Sequence, residues 1–368
     1  MAAAYARDPG ARLNHWPLYQ PIQDDELFSS WLLRNALAHG CAPLVFCGAL
    51  WPGVRMWTVD IDCGVGAPFL RQLDDAEFPG VVTTVGRFSR ALECVSGAES
   101  RHANRRWVLS LGVRNRQHQC GLQYCPICFE EGLPYFRYHW RFAWQTGCVE
   151  HGSCLLSRCR ECHAPVQPHL LVPPVTDCSI CHACGAPLGS SLNVTICPPG
   201  AISLQSVADD TLSGVGVSKL ASEWFEYTYL LVSLVRYAMR SRSRSTLQML
   251  SSLGAEVKSE HQVCSGLPLE LLEVSERAQL MSLLAPLVAQ SPQAVAQAIK
   301  DYRLPLSIFG RHISRPLTGA AAQTLVSATA AHPHKSSCAN KSRQPAGRSV
   351  VEREWRRLQR KIFAYARP

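Results

Sequence analysis

The sequence predicts a largely helical protein whose middle is built from small, metal-stabilised β elements. Three observations carry this. Nine of the 17 cysteines fall between Tyr124 and Leu188, eight of them belonging to four close ligand pairs or their extension. Segments on both sides of that stretch repeat apolar residues at helical spacing. Between the first two pairs, Tyr135 to Trp144 is dense in aromatic residues, as expected of a small module that needs bulky side chains for a core.

The pairs are Cys125/Cys128, Cys148/His151, Cys159/Cys162 and Cys181/Cys184, each separated by two residues. A tetrahedral zinc ion takes four nitrogen or sulfur ligands at about 2.0–2.3 Å, and one tight loop can turn two such side chains inward. Pro126 and Gly185 suit turns of this kind. Sequential pairing gives two closed sites, Cys125, Cys128, Cys148 and His151, then Cys159, Cys162, Cys181 and Cys184, and so two structural zinc ions. Cys178 extends the last pair to C-x-x-C-x-x-C, which leaves Cys178 or Cys184 as the fourth ligand of the second site. A disulfide framework is the alternative, and the ligand spacing argues against it. A catalytic zinc keeps an open position, whereas both sets here close with four ligands.

In chain order, residues 1–23 form a proline-containing lead-in. Asp24 to Gly40 reads as a helix, with Leu27, Trp31, Leu32, Ala36 and Leu37 at helical spacing, acids at its start and Gly40 at its end. Ala42 to Leu50 reads as a second short helix. Gly66 to Leu73 and Val85 to Val95 are short amphipathic segments divided at Pro79-Gly80, and Trp107 to Leu109 is a short strand. A helix over Tyr135 to Trp144 would stack Phe136, Trp140 and Trp144 as core and place Arg137 and Arg141 on another stripe. Residues 193–213 read as a linker interrupted by Pro198-Pro199-Gly200. Helices follow over Ser218 to Met239, from Pro268, over Ser275 to Ala289 with Pro286 ending or kinking it, and over Pro292 to Tyr302 with Ser291 as N-cap. The short helices between Ser275 and Phe309 are compatible with a helix-turn-helix. The division expected is 1–118, 119–192 (tandem zinc module), 193–216 (linker), 217–326 (helical domain) and 327–368 (basic linker and amphipathic tail helix).

The stretch from Tyr124 to Leu188 resembles the TniQ/TnsD family of transposition proteins. The matching features are Cys125-Pro126-x-Cys128, Pro134-Tyr135-Phe136-Arg137, Trp140-Arg141, Cys148-x-x-His151-Gly152 with Leu155-Leu156, and Cys181-x-x-Cys184-Gly185-x-x-Leu188. Ser30-Trp31-Leu32-x-Arg34 resembles the amino-terminal signature of the same family, which implies a helix-turn-helix-like region there. The resemblance implies a target-selection adaptor. Such proteins bridge a target DNA, or an RNA-guided Cascade-type complex in CRISPR-associated transposons, to the AAA+ regulator ATPase of the transposase, often as homodimers.

The net charge is +9, and Lys335 to Pro368 holds ten basic residues against two acidic ones. Such a balance favours a polyanionic partner. Arg34, Arg137 and Arg141, with Arg356, Arg357 and Arg360 on the tail helix, are the candidate nucleic-acid or partner contacts; a buried or solvated role is the alternative for each. The start lacks the apolar core of a signal peptide, no run is long enough to span a membrane, and 17 thiols fit a reducing compartment, so the expectation is cytoplasmic. No H-x-E accompanies a P-C-x-x-C, and no GxxxxGK[ST] loop exists, so neither a zinc deaminase nor a P-loop ATPase is expected. The competing function is a free-standing zinc-finger DNA-binding regulator.

Overall fold

Side-chain packing against two metal-type knuckle pairs, rather than a sheet, organises the fold. The computed structural model describes residues 16–54, 56–58, 60–63, 70, 72–73, 77–96, 105–109, 111, 121–213, 218–258, 261, 266–314, 316–329, 352 and 355. Contacts group Met1–Ala330 into one unit and Ala331–Pro368 into a second. Arg356, Arg357 and Arg360 lie outside the described residues.

Helix α1 spans Phe28–Ala38 and α2 spans Pro43–Leu50. The acids expected to open α1 precede it instead, because Glu26 is turned inward and Leu27 takes the cap position. Gly40 adopts φ +63°, the left-handed turn that a glycine enters without steric cost. Pro43 opens α2, where a missing N–H costs nothing. Helix α3, Val81–Ser96, is longer than the Val85 to Val95 segment expected. Together these elements bury a first core, with Trp16 stacked on Trp31 at 5.0 Å and Trp31 flanked by Phe28 and Phe78. The segment expected over Gly66 to Leu73 lies largely outside the described residues.

Two expectations for the middle of the chain are corrected. Tyr135 to Trp144 forms no α-helix, only a 3-10 turn at Tyr138–Arg141. From Arg141 on, the backbone is extended and pairs with Trp107 to Leu109: Leu109 N–H donates to Arg141 O at 2.8 Å and Ala143 N–H to Trp107 O at 2.7 Å. Alternation then sends both Phe142 and Trp144 to one side, where their rings stack at 4.4 Å. Phe136, Trp140 and Trp144 are nonetheless core, as expected. Among the described residues, β structure consists of isolated bridges.

The second correction concerns residues 199–213, which form helix α5, Pro199–Ser213, rather than a linker. Pro199 at the start is compatible with a helix. Gly200 lets α5 approach α8, Val274–Val288, closely: a Cβ there would lie 2.8 Å from Ser282 Oγ and 3.1 Å from Ser282 O. Pro286 sits inside the last turn of α8 and has no N–H to offer Ser282 O four residues back. Among the described residues the other α-helices are α4, Pro126–Glu131, α6, Ser218–Ser241, α7, Arg244–Ser252, α9, Pro292–Asp301, and α10, Ala320–Ser327. Ser291 caps α9, its Oγ accepting from Ala294 N–H at 3.2 Å, with Pro292 next. Leu269–Leu271, expected to start a helix, is a single 3-10 turn.

The larger core runs continuously from Leu27 to Ala328. Trp144 stacks on Phe225 of α6 at 4.8 Å, and its indole N–H donates to Asp209 of α5 at 3.0 Å. Arg277 of α8 is buried and donates to Ala143 O at 2.8 Å and to Gln123 Oε1 at 2.7 Å. The knuckle region and the carboxy-terminal helices therefore share one interior.

Candidate metal centres

Two side-chain clusters bring four ligand-type atoms within 4.8 Å of one another: Cys125, Cys128, Cys148 and His151, and Cys159, Cys162, Cys181 and Cys184. They are the two sets that sequential pairing predicts. Local structure explains why. Cys125 caps helix α4, Pro126–Glu131, and its sulfur accepts the Cys128 N–H at 3.5 Å. That contact holds both sulfurs on one side of the first turn.

The other three pairs share one hairpin. In each, the first cysteine's N–H bonds to the carbonyl five residues on, and its carbonyl accepts from the N–H four residues on. The partners are Ser153 and Gly152 for Cys148, Ala164 and His163 for Cys159, and Ala186 and Gly185 for Cys181. The residue four on is left-handed each time, at φ +63° for Gly152, +57° for His163 and +74° for Gly185. Glycine is the low-cost choice there. A Gly directly after the second ligand was therefore a readable signal in two of the three knuckles. His163 hides it in the third.

The spacing of the donor atoms fits zinc. Ligands at about 2.3 Å (sulfur) and 2.0–2.1 Å (nitrogen) around a tetrahedral ion lie about 3.8 Å apart for two sulfurs and about 3.5 Å for a sulfur and a nitrogen. Cys128 and Cys148 sulfurs are 3.7 Å apart, and His151 Nδ1 lies 3.5, 3.3 and 3.4 Å from Cys125, Cys128 and Cys148. In the second cluster, Cys159 to Cys184 and Cys162 to Cys181 are each 3.7 Å. The other ring nitrogen of His151 faces Glu131 Oε2 at 3.3 Å, the carboxylate partner that commonly orients a ligating imidazole. Three thiolates and a histidine, or four thiolates, form a soft donor set that suits zinc.

Cys178 and Cys184 differ in position. Cys184 belongs to the second cluster, whereas Cys178 is fully buried and its thiol donates to Pro134 O at 3.1 Å. Burial pushes its pKa upward, away from thiolate character. Cys178→Ala is expected to leave metal content unchanged, and Cys184→Ser to lower it; elemental analysis of both variants checks the pair.

The arginines expected at the surface divide. Arg34 is buried and pairs with Glu26 at 2.7 Å, and Arg141 is fully buried between Asp60 and Asp62. Both are corrected to interior roles: each neutralises a carboxylate inside the fold, so neither presents a charge to a partner. Arg137 keeps an exposed edge, but it is paired with Asp25 at 2.9 Å and Glu150 at 3.6 Å and lies over the Tyr135 and Trp140 rings. It ties the entry to α1 to the Cys148 knuckle, since Glu150 stands between the two ligands there. Glu26, Asp60, Asp62 and Arg277 were not legible as important residues, because nothing in their local sequence marks a charge destined for burial.

Comparison with known families decides what this arrangement belongs to. The TniQ family model matches residues 17–156. The chain carries a TniQ domain. No curated protein gives a significant match. The TniQ domain takes in all of the first core but Trp16, the Ser30-Trp31-Leu32 turn of α1 and the whole first cluster, and it stops before Cys159, so the second cluster follows it in sequence. A TniQ domain implies a transposition-associated role in target selection. No helix among the described residues is long and apolar enough to cross a membrane.

Proposed function

We propose that the chain is the target-selection adaptor of a heteromeric transposition system, holding two structural zinc ions and bridging a target to the AAA+ regulator ATPase of the transposase. The observation that carries the reading is the TniQ domain over residues 17–156, with a four-ligand cluster inside it. When bound, zinc would lock the knuckles by linking metal affinity to folding. Four protein ligands per site would leave no position for substrate or activated water, so the reading gives the chain no chemistry of its own. The target is a DNA site or an RNA-guided Cascade-type complex, and a homodimer is part of the proposal.

In this reading the amino-terminal helical region, 1–118, together with the first zinc module of 119–192, carries the recruiting surface, and 217–326 faces the target or a second subunit. With Arg34 and Arg141 interior, Arg137 is the one of the three candidate arginines left to that surface. The test is capture of the cognate ATPase by the tagged, zinc-loaded full chain. Retention that survives nuclease treatment is expected; binding that vanishes with the nucleic acid would favour the zinc-finger regulator.

The basic tail supplies salt-sensitive affinity for polyanions. Removing residues 333–368 is expected to flatten the dependence of log affinity on log salt in a DNA or RNA titration. An unchanged slope would mark the tail as a bystander.

A further inference from the structure

Beyond the eight clustered ligands, the described cysteines are Cys41, Cys47, Cys63, Cys94, Cys154, Cys178 and Cys197. Of these, Cys154 and Cys197 lie on directly adjoining segments. Three short segments place them there. The bridge between Gly147 and Cys154 and the bridge between Ser153 and Ile196 lay the three segments side by side and make Cys154 and Cys197 diagonal neighbours. Cys154 N–H donates to Thr195 O at 2.7 Å and Cys197 N–H to Gly152 O at 2.9 Å. Side chains alternate along an extended segment, so Cys154 and Cys197 share the face opposite Ser153 and Ile196. Gly147, bridged to Cys154, makes room for Cys197: a Cβ at that position would meet Ile202 and lie 2.8 Å from both Cβ and Sγ of Cys197. Cys197 is buried and Cys154 is half-buried.

We propose that Cys154 and Cys197 are a thiol-modification site, a dithiol that a peroxide converts to a disulfide. Cys154, the sulfur with access to solvent, attacks one peroxide oxygen, giving a sulfenic acid and water. Cys197 then displaces the sulfenic oxygen as a second water, and its proton leaves with that oxygen. Two thiols and one hydrogen peroxide become one disulfide and two waters; the sulfurs lose two electrons in all and the peroxide gains them. The product joins the end of the TniQ domain to the residue that leads into α5. Since α5 packs along α8, the bond would fasten the Cys148 knuckle to the carboxy-terminal helices. The site does not depend on the adaptor role.

The test uses the zinc-loaded full chain. It is treated with hydrogen peroxide in modest excess, its free thiols are alkylated, and its peptides are mapped by mass spectrometry alongside metal content. A Cys154–Cys197 linked peptide, reversible by dithiothreitol, with metal content unchanged, is the expected result. Cys154→Ser is expected to abolish the link and leave Cys197 alkylatable. The proposal is overturned if both cysteines stay alkylatable while clustered thiols oxidise and metal is released. It is equally overturned if Cys154 stops at the sulfenic acid, or if Cys197 links elsewhere. The wild-type map decides the matter even if the variant folds poorly.

Discussion

Cys125→Ser or Cys159→Ser is expected to remove about one equivalent of zinc from the two that the clusters would hold, and to destabilise the chain by several kcal/mol. A serine hydroxyl is a poor zinc ligand, so one substitution opens a closed site. Because the unfolded chain has no preformed site, the metal's binding free energy, about 10–16 kcal/mol in isolated finger peptides, appears as folding free energy. The two sites are not equivalent. Cys125 and Cys148 of the first cluster are buried, whereas Cys162 and Cys184 of the second are exposed. A chelator is therefore expected to strip the second site first. Cys125→Ser is expected to be the more damaging change, because the Cys125 sulfur also accepts a helix-capping N–H and contacts Ser153 at 3.4 Å. Elemental analysis and thermal denaturation check these statements together. Native zinc content in either variant would mean that the substituted cysteine is not a ligand.

The metal clusters were legible because their information is local. A C-x-x-C pair is constrained by the covalent chain to one loop, and sequential order gave the partners. Helices α6, α8 and α9 were legible for the same reason, since period and caps are read within a dozen residues. What escaped was set by distant partners. Residues 199–213 look like a linker by composition and become helical where Ala201, Leu204 and Ala208 bury against the rest of the core. The Tyr135 to Trp144 segment has an aromatic spacing that fits a helix, yet pairing with residues 107–109 makes its second half extended. Arg141 has the composition of a contact residue, and only the fold shows that two aspartates some eighty positions earlier claim it.

Arg141→Met is expected to cost about 3–5 kcal/mol, as when one partner of a buried ion pair is removed. The guanidinium joins three pieces of the TniQ domain. It pairs with Asp60 and, at 3.2 Å, with Asp62, and it donates to Leu109 O from Nε at 3.0 Å and from Nη2 at 2.7 Å. Asp62 in turn accepts the Ser29 N–H at 2.9 Å and the Ser29 hydroxyl at 2.7 Å, fixing the first turn of α1. Arg141→Lys is expected to recover little, because a single ammonium cannot reproduce the planar fork. Asp62→Asn in the Arg141→Met background is expected to recover part of the loss, since it removes the stranded charge. The pH dependence carries a sign. Burial pushes Asp62 up to about 6, with Arg141 opposing the shift. Its folded pKa thus lies above the unfolded value of about 3.9, so the native state holds a proton that the unfolded state releases between the two values. The stability this group contributes is present below about pH 4 and is lost as pH rises through about 6. Without Arg141 the carboxyl is driven further toward its neutral form. The deficit of Arg141→Met against wild type, measured at matched pH with zinc in excess, is therefore expected to be largest above about pH 7 and to narrow toward about pH 5. A deficit that stays constant with pH, or one under about 1 kcal/mol, would mean that the Arg141 charge does not hold these pieces together.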